Sequence, residues 1–268
     1  MLEPILEAVR FRLRERQQRR PLRNVERDAA AAPAPRGFAA ALARAPHGLG
    51  LIAELKKASP SAGLLRADFD VPELAAAYAR GGASALSVLT ESDHFQGRLD
   101  NLDAAGEAGL PRLQKDFMLE EYQLFEARAA GADAILLIAE MLPPPRAAEL
   151  VALGLDLGLD VLYEAHDPAG WRQAARLAEK HPERVLVGIN NRDLRTFEVR
   201  LETSLRALDE LPRGLHVVSE SGIRDAQDVV RLRAAGASAI LVGESLLRQA
   251  DVEAAARALL SGLRAAPA

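Results

Sequence analysis

The sequence predicts an α/β protein, a (β/α)8 TIM barrel with an additional N-terminal helical segment. Three observations carry that expectation: an internal repeat, the spacing of its copies, and the number of apolar runs that fill the gaps. The copies are GASALSVLTE from Gly82, GADAILLIAE from Gly131 and GASAILVGE from Gly236. Each follows an Ala-rich helical stretch, stops it with a glycine and runs apolar into a terminal carboxylate. Glycine at that point supplies the left-handed residue that ends a helix. The unbroken apolar run is that of a strand buried on both faces. At roughly 25 residues per βα unit, the copies stand two and four units apart in a repeat architecture.

Taken in order, the elements begin with a segment outside the eightfold count. Residues 1–46 open Arg-rich, but Glu3, Glu7 and Glu15 interrupt the run and no apolar signal core follows, so an amphipathic helix near 3–18 is expected rather than a transit peptide. Ile5, Leu6, Val9 and Leu13 give it one apolar face. A basic segment and the Ala/Pro linker DAAAAPAPRG (28–37) follow. The chain is therefore expected to divide into a helical extension, 1–46, packing on the barrel, and a catalytic barrel, 47–268. Apolar runs at 49–55, 110–115, 159–163, 185–190 and 215–219 join the three repeats to make eight strands. Helical patterns such as VPELAAAYARGG, LEEYQLFEARAAG and AQDVVRLRAAG lie between them. A doubly wound sheet is the alternative, and it would need a GxGxxG turn after the first strand. None follows.

Composition narrows the function classes. The 268 residues are 49% apolar, enough for a large core, and the net charge of −4 carries no polyanion-binding signature, so no nucleic-acid partner is expected. There is no cysteine, which removes disulfides and thiolate metal sites. No run approaches transmembrane length. A cytoplasmic, monomeric protein without a membrane partner is expected. His47, His94, His166, His181 and His216 lack metal-ligand spacing, so no metal is expected either.

Chemistry in such a barrel belongs at the C-terminal ends of the strands. Those ends hold Glu54 and Lys56, Thr90 and Glu91, Lys115 and Asp116, Glu140, Glu164, Asn190 to Arg192, Glu220 to Gly222, and Gly243 with Glu244. Glu54 and Lys56 are two apart and share one side of their strand, the interior. Lysine is scarce in this arginine-rich chain: only Lys56, Lys57, Lys115 and Lys180 occur among 34 basic residues. Arginine stays protonated, whereas the pKa of a desolvated ammonium can fall far enough to pass a proton. Burying several carboxylates and ammonium groups in one mouth costs several kcal/mol per unpaired ion, which a purely structural protein has little reason to build. Gly222 and Gly243 follow the last two strands and precede helical stretches, the arrangement of a barrel phosphate site. Phe95 and Phe117 lie just past the second and third strands, at the mouth. Trp171 and Tyr163 read as core.

At these residues the chain resembles indole-3-glycerol-phosphate synthases of tryptophan biosynthesis. The likeness spans nearly the whole chain and rests on IAELKKASPSAG (52–63), SVLTESDHFQG (87–97), LQKDFMLEEYQ (113–123), ILLIAEML (135–142), YEAHD (163–167), GINNRDL (188–194), VSESGI (218–223) and LVGESLL (241–247). It departs from the family pattern at Ala62 and Glu244, the second leaving any phosphate contact there to the backbone. The resemblance implies a carboxy-lyase that turns the phosphorylated anthranilate-sugar 1-(2-carboxyphenylamino)-1-deoxyribulose 5-phosphate into indole-3-glycerol phosphate, CO2 and water, without cofactor or metal. It implies Lys115 as the acid at the C2 ketone and Glu164 as a second proton-transfer group, its pKa raised by burial. Glu54 would hold Lys115 or the substrate hydroxyls, and Lys56 would neutralise substrate charge and bridge toward the phosphate. Asn190, Glu220 and Ser221 would orient hydroxyls and intermediates. Arg192 would meet the carboxylate that is lost, and Phe95, Phe117, Leu137 and Leu194 would line the anthranilate pocket. Ser59, Gly222, Gly243 and Glu244 complete the substrate-binding set. Two alternatives stay open: an enzyme like phosphoribosylanthranilate isomerase, and a non-catalytic phosphosugar-binding barrel with no need for Lys115 or Glu164.

Overall fold

A computed structural model describes residues 2–60, 62–193, 196 and 198–264. Eight parallel strands close on themselves: β1 (Gly50–Leu55), β2 (Ala85–Leu89), β3 (Arg112–Lys115), β4 (Ala134–Ile138), β5 (Asp160–Ala165), β6 (Val185–Asn190), β7 (Val217–Glu220) and β8 (Ala239–Val242). Each pairs with its sequence neighbours, and β8 returns to β1 through Gly50 opposite Ala239. This is the eightfold barrel expected. The repeat glycines Gly82, Gly131 and Gly236 all have positive φ, the conformation that stopping a helix requires.

Strand residues alternate between two buried layers. Ile52, Leu113, Leu136, Ile138, Leu162, Leu186, Val218 and Leu241 fill the barrel interior. Leu51, Leu55, Ile135, Leu137, Val161, Tyr163 and Val187 face the helices outside. Those helices include α4 (Val71–Arg80), α5 (Asp100–Ala104), α6 (Glu121–Ala129), α7 (Pro144–Asp156), α8 (Pro168–Lys180), α9 (Glu202–Glu210), α10 (Ala226–Ala235), α11 (Glu244–Leu247) and α12 (Val252–Arg264). Asp70, Asp167 and Asp225 cap α4, α8 and α10 by accepting from amides of their first turns.

The N-terminal segment departs from expectation in two ways. Besides α1 (Leu2–Arg19), the basic stretch forms a second helix, α2 (Leu22–Ala31), that packs on α6. Leu13, Val25 and Tyr122 make a small core of their own there. More consequentially, α3 (Phe38–Ala43) plugs the bottom of the barrel. Phe38, Ala39 and Leu42 join the interior layer. The Ala39 amide donates to Asp160 Oδ2 at 2.9 Å, and the Arg36 amide to Asp133 Oδ1 at 2.7 Å. Leu42 lies where a side chain on Gly50 would stand. Residues 38–43, on the N-terminal side of the boundary expected after residue 46, thus contribute to the barrel interior, whereas α2 packs outside it on α6.

α1 sits on the opposite end, where the strands finish. Arg12 pairs with Asp93 after β2 at 3.1 Å, Arg16 with Glu126 on α6 at 3.1 Å, and Gln17 donates to Glu120 at 3.0 Å. These contacts carry Ile5 to the edge of the mouth. The long connection after β1 also folds back as a short hairpin, Ala58–Ser59 against Gly63–Leu64, too brief to leave a sequence pattern.

Candidate active site

The mouth is a cavity of about 730 Å³ lined from every strand end named above except that of β4, where Glu140 gives way to Leu136 and Ile138. Its floor is ionic. Lys115, with 16% of its side chain exposed, places Nζ 3.0 Å from Glu164 Oε2 and 3.7 Å from Glu220 Oε2. The Asn190 side-chain amide donates to Glu164 Oε1 at 2.8 Å. Glu54 does not take Lys115 as its nearest partner. It pairs instead with Lys56, two residues on and just past the end of β1, at 2.5 Å.

The electrostatics correct two expectations. Burial alone would pull the Lys115 pKa down, but the carboxylates of Glu164, Glu220 and Glu54 outweigh it and raise that pKa, so the ammonium is held charged. For Glu164, burial opposes ionisation, yet Lys115 and the Asn190 amide prevail and its pKa is lowered. Glu220 is the carboxyl that burial, joined by repulsion from Glu164, pushes well above its ordinary range. Ionisation is thus favoured at Glu164, beside Lys115 and Asn190, and disfavoured at Glu220. Sequence reasoning assigned the raised carboxyl to Glu164 because burial is legible from a strand pattern, whereas the distance to Lys115 is not.

Two aromatic rings wall one side. Phe95 and Phe117 stand 6.2 Å apart with planes inclined at 54°. Neither is left to its loop. Glu91 accepts from the amides of Asp93, His94 and Phe95. Asp116 accepts from the Phe117 amide at 2.8 Å and from Thr90 Oγ1 at 2.5 Å. Burial raises the Asp116 pKa, partly offset by those two bonds. Both carboxylates were visible at strand ends, but their positioning role depends on loop geometry. Leu137 does not line this wall. It is buried against the outer helices, and its neighbours Leu136 and Ile138 face the cavity. The error is one residue of register, which in a strand turns a side chain to the opposite face. Leu194 lies outside the described residues.

Opposite the rings, the turns after β7 and β8 supply backbone. Ser221 and Gly222 are both left-handed, with φ of 67° and 74°. A non-glycine residue in that region is strained and needs support. Asn191 gives it, donating from Nδ2 to the Ser221 carbonyl at 2.9 Å and to Ser219 Oγ at 3.1 Å. Gly222 packs against Val199, and a side chain on Gly243 would collide with Glu54 Oε1. The Glu244 side chain is held by Arg248 at 2.8 Å. Arg192 and Ser59 also line the cavity, Ser59 Oγ accepting from the Ala62 amide at 3.2 Å. Arg200, Arg224, Arg231 and Arg248 form its outer rim on this side.

Among the described residues, Glu140, His166 and Asp167 bring possible metal-ligand atoms within 4.8 Å of one another. Their bonds are structural. Glu140 Oε1 accepts from the His166 amide and pairs with its ring at 2.9 Å, while Asp167 caps α8. The group does not line the cavity.

The family model for indole-3-glycerol phosphate synthase matches residues 2–259. The chain belongs to that family. A protein of that name from Azospirillum brasilense is 47% identical over 264 residues, 97% of this chain and 99% of the relative. One from Laribacter hongkongensis is 46% identical over 259 residues, 95% and 97% respectively. Solved barrels share the fold alone. Orotidine 5'-phosphate decarboxylase from Pyrococcus horikoshii superposes with a TM-score of 0.56 at 18% identity, over 81% of this chain and all of that one. Thiamine phosphate pyrophosphorylase from Pyrococcus furiosus gives 0.57 at 16%, over 81% and 96%. As an indole-3-glycerol phosphate synthase, the chain is a decarboxylating lyase of tryptophan biosynthesis acting on a phosphorylated small molecule. The two alternative readings, an isomerase and a non-catalytic barrel, give way to it. No described helix is long and apolar enough to cross a membrane.

Proposed function

We propose that the cavity closes the indole ring through a relay of Lys115, Glu164 and Glu220. The observation that carries this reading is the Lys115 ammonium lodged between the carboxyl groups of Glu164 and Glu220, 3.0 and 3.7 Å away. The substrate's phosphate would rest on the turns at Gly222 and Gly243, where backbone comes close and Lys56 and the arginine rim supply positive charge. Its anthranilate ring would lie along Phe95, Phe117, Leu136 and Ile138. That pose aims the C2 ketone at Lys115.

As the aromatic carbon attacks C2, the ketone oxygen becomes an alkoxide, far more basic than an amine. A lysine held charged begins each cycle with the required proton and loses it only when that base forms. Loss of CO2 restores one double bond in the ring system. Arg192 would hold the carboxylate until it leaves. Departure of the C2 hydroxyl as water needs a proton delivered to it, and re-aromatisation needs one removed. Glu220, where ionisation is disfavoured, would deliver the first, and Glu164, where it is favoured, would take the second. Asn190 and Ser221 would orient the sugar hydroxyls, with Ser59 on the same wall. Every transfer is assigned to a side chain of this protein, so no metal or cofactor is invoked. That the enzyme works as a cytoplasmic monomer is a separate part of the proposal. Incubation with 1-(2-carboxyphenylamino)-1-deoxyribulose 5-phosphate should produce indole fluorescence and CO2. Absence of both would end the proposal.

A further inference from the structure

Glu164 and Glu220 stand on β5 and β7, with β6 between them. Along the inner face of β6, Leu186 lies below and Asn190 above, and the position between them is Gly188. Gly188 is opposite Glu164 on one side and Val218 on the other. A Cβ built on Gly188 would lie 2.5 Å from Glu220 Oε1, far inside contact distance, and 3.1 Å from the Glu164 Cα. Glu220 Oε1 is buried and has no hydrogen-bond partner. The carboxyl thus occupies the volume that any other residue at 188 would fill, and it crosses β6 there to interact with Glu164.

We propose that Gly188 is a positioning residue for the reaction: its missing side chain is the seat of the Glu220 carboxyl, and it lets Glu220 reach Glu164 across the intervening strand. The inference deepens the reading of the site given above and rests on it for its catalytic consequence. A mid-strand glycine ordinarily weakens a strand, and it earns its place where something must approach the backbone closely. Here the approaching group is the end of a flexible side chain. Alanine would leave the barrel able to close, at the cost of driving that carboxyl toward the open cavity, away from Glu164 and into better solvation.

The test is a thermal double-mutant cycle joined to kinetics. Gly188→Ala should lower Tm by about 3 °C or more in the native background. In a Glu220→Ala background the same substitution should cost nothing or raise Tm, because the new methyl enters vacated space. An equal loss in both backgrounds, or failure to fold in both, would place the clash at the Glu164 backbone and overturn the proposal. In the otherwise native enzyme, Gly188→Ala should lower kcat about 10²-fold, the scale of an ångström's misplacement, with KM nearly unchanged. The limb of the kcat–pH profile set by the carboxyl pair should move. A normal kcat with an unmoved profile would also overturn it. The Tm cycle needs no substrate, so it judges the seat even if the assigned reaction fails.

Discussion

Both ends of this barrel bury carboxylates, and they treat them in opposite ways. At the bottom, Asp133 accepts from the amides of Arg36 and Arg112 and pairs with the Arg112 guanidinium, while Asp160 accepts from the Ala39 amide and from Arg184. Each has partners fixed in place, and each ties the plug α3 or its lead-in to a strand. At the top, Glu164 and Glu220 are pressed against one another with a single lysine between them, and one Glu220 oxygen has no partner. Satisfied polar groups hold a fold together. A crowded, half-satisfied carboxyl pair costs stability and pushes the ionisation of its members apart. The difference teaches how one architecture assigns stability to one end and chemistry to the other.

The comparison breaks most readily at Lys115. Lys115→Arg preserves the charge but replaces the acid with one of pKa above about 12. General acid catalysis contributes about 10²- to 10⁴-fold, so kcat should fall by at least that lower figure while KM changes little. Steady-state kinetics decide it. A loss confined to KM would make Lys115 an anchor for substrate charge.

The bottom should respond in stability alone. Phe38 is fully buried within the barrel. Phe38→Ala should cost about 3–5 kcal/mol in urea unfolding, with kcat of the folded enzyme unchanged. A matching loss of kcat would show that the two ends are coupled.

Truncation separates the two parts of the N-terminal segment. Removing residues 1–20 takes away α1, with Ile5 and the Arg12–Asp93 contact at the mouth, and should raise KM about tenfold while the barrel stays folded, an exposed binding wall being worth about 1.4 kcal/mol. Extending the deletion through residue 43 removes the plug as well and should abolish cooperative unfolding by circular dichroism. An unchanged KM in the shorter form would mean that α1 does not serve the site.

The smallest effect is a pH dependence. Glu220 in the folded protein has a pKa well above its ordinary value, so it retains a proton that the unfolded chain releases. Stability then declines as pH rises from the ordinary carboxylate range toward the folded pKa. Glu220→Gln removes that decline. Its Tm should track the parent at acidic pH and gain on it progressively as pH rises, even as activity is lost. Parallel Tm curves across that window would show that Glu220 is not the proton carrier.

Much of this was legible in one dimension. The Gly-to-carboxylate repeat identified the strands, and the two-residue spacing of Glu54 and Lys56 put both on the interior face. The clustered motifs marked the family. Those signals survive because strand period, helix termination and local spacing are set by neighbours along the chain. What only the tertiary structure decided depends on groups far apart in sequence. Leu137 turned outward because barrel closure fixes register. Phe38 entered the core because an open barrel bottom must be filled. Gly188 became a seat because Glu220, 32 positions on, needs its space. Which of two similar glutamates has its ionisation favoured depends on ångström distances to Lys115 and Asn190, since Coulomb interactions act through space rather than along the chain.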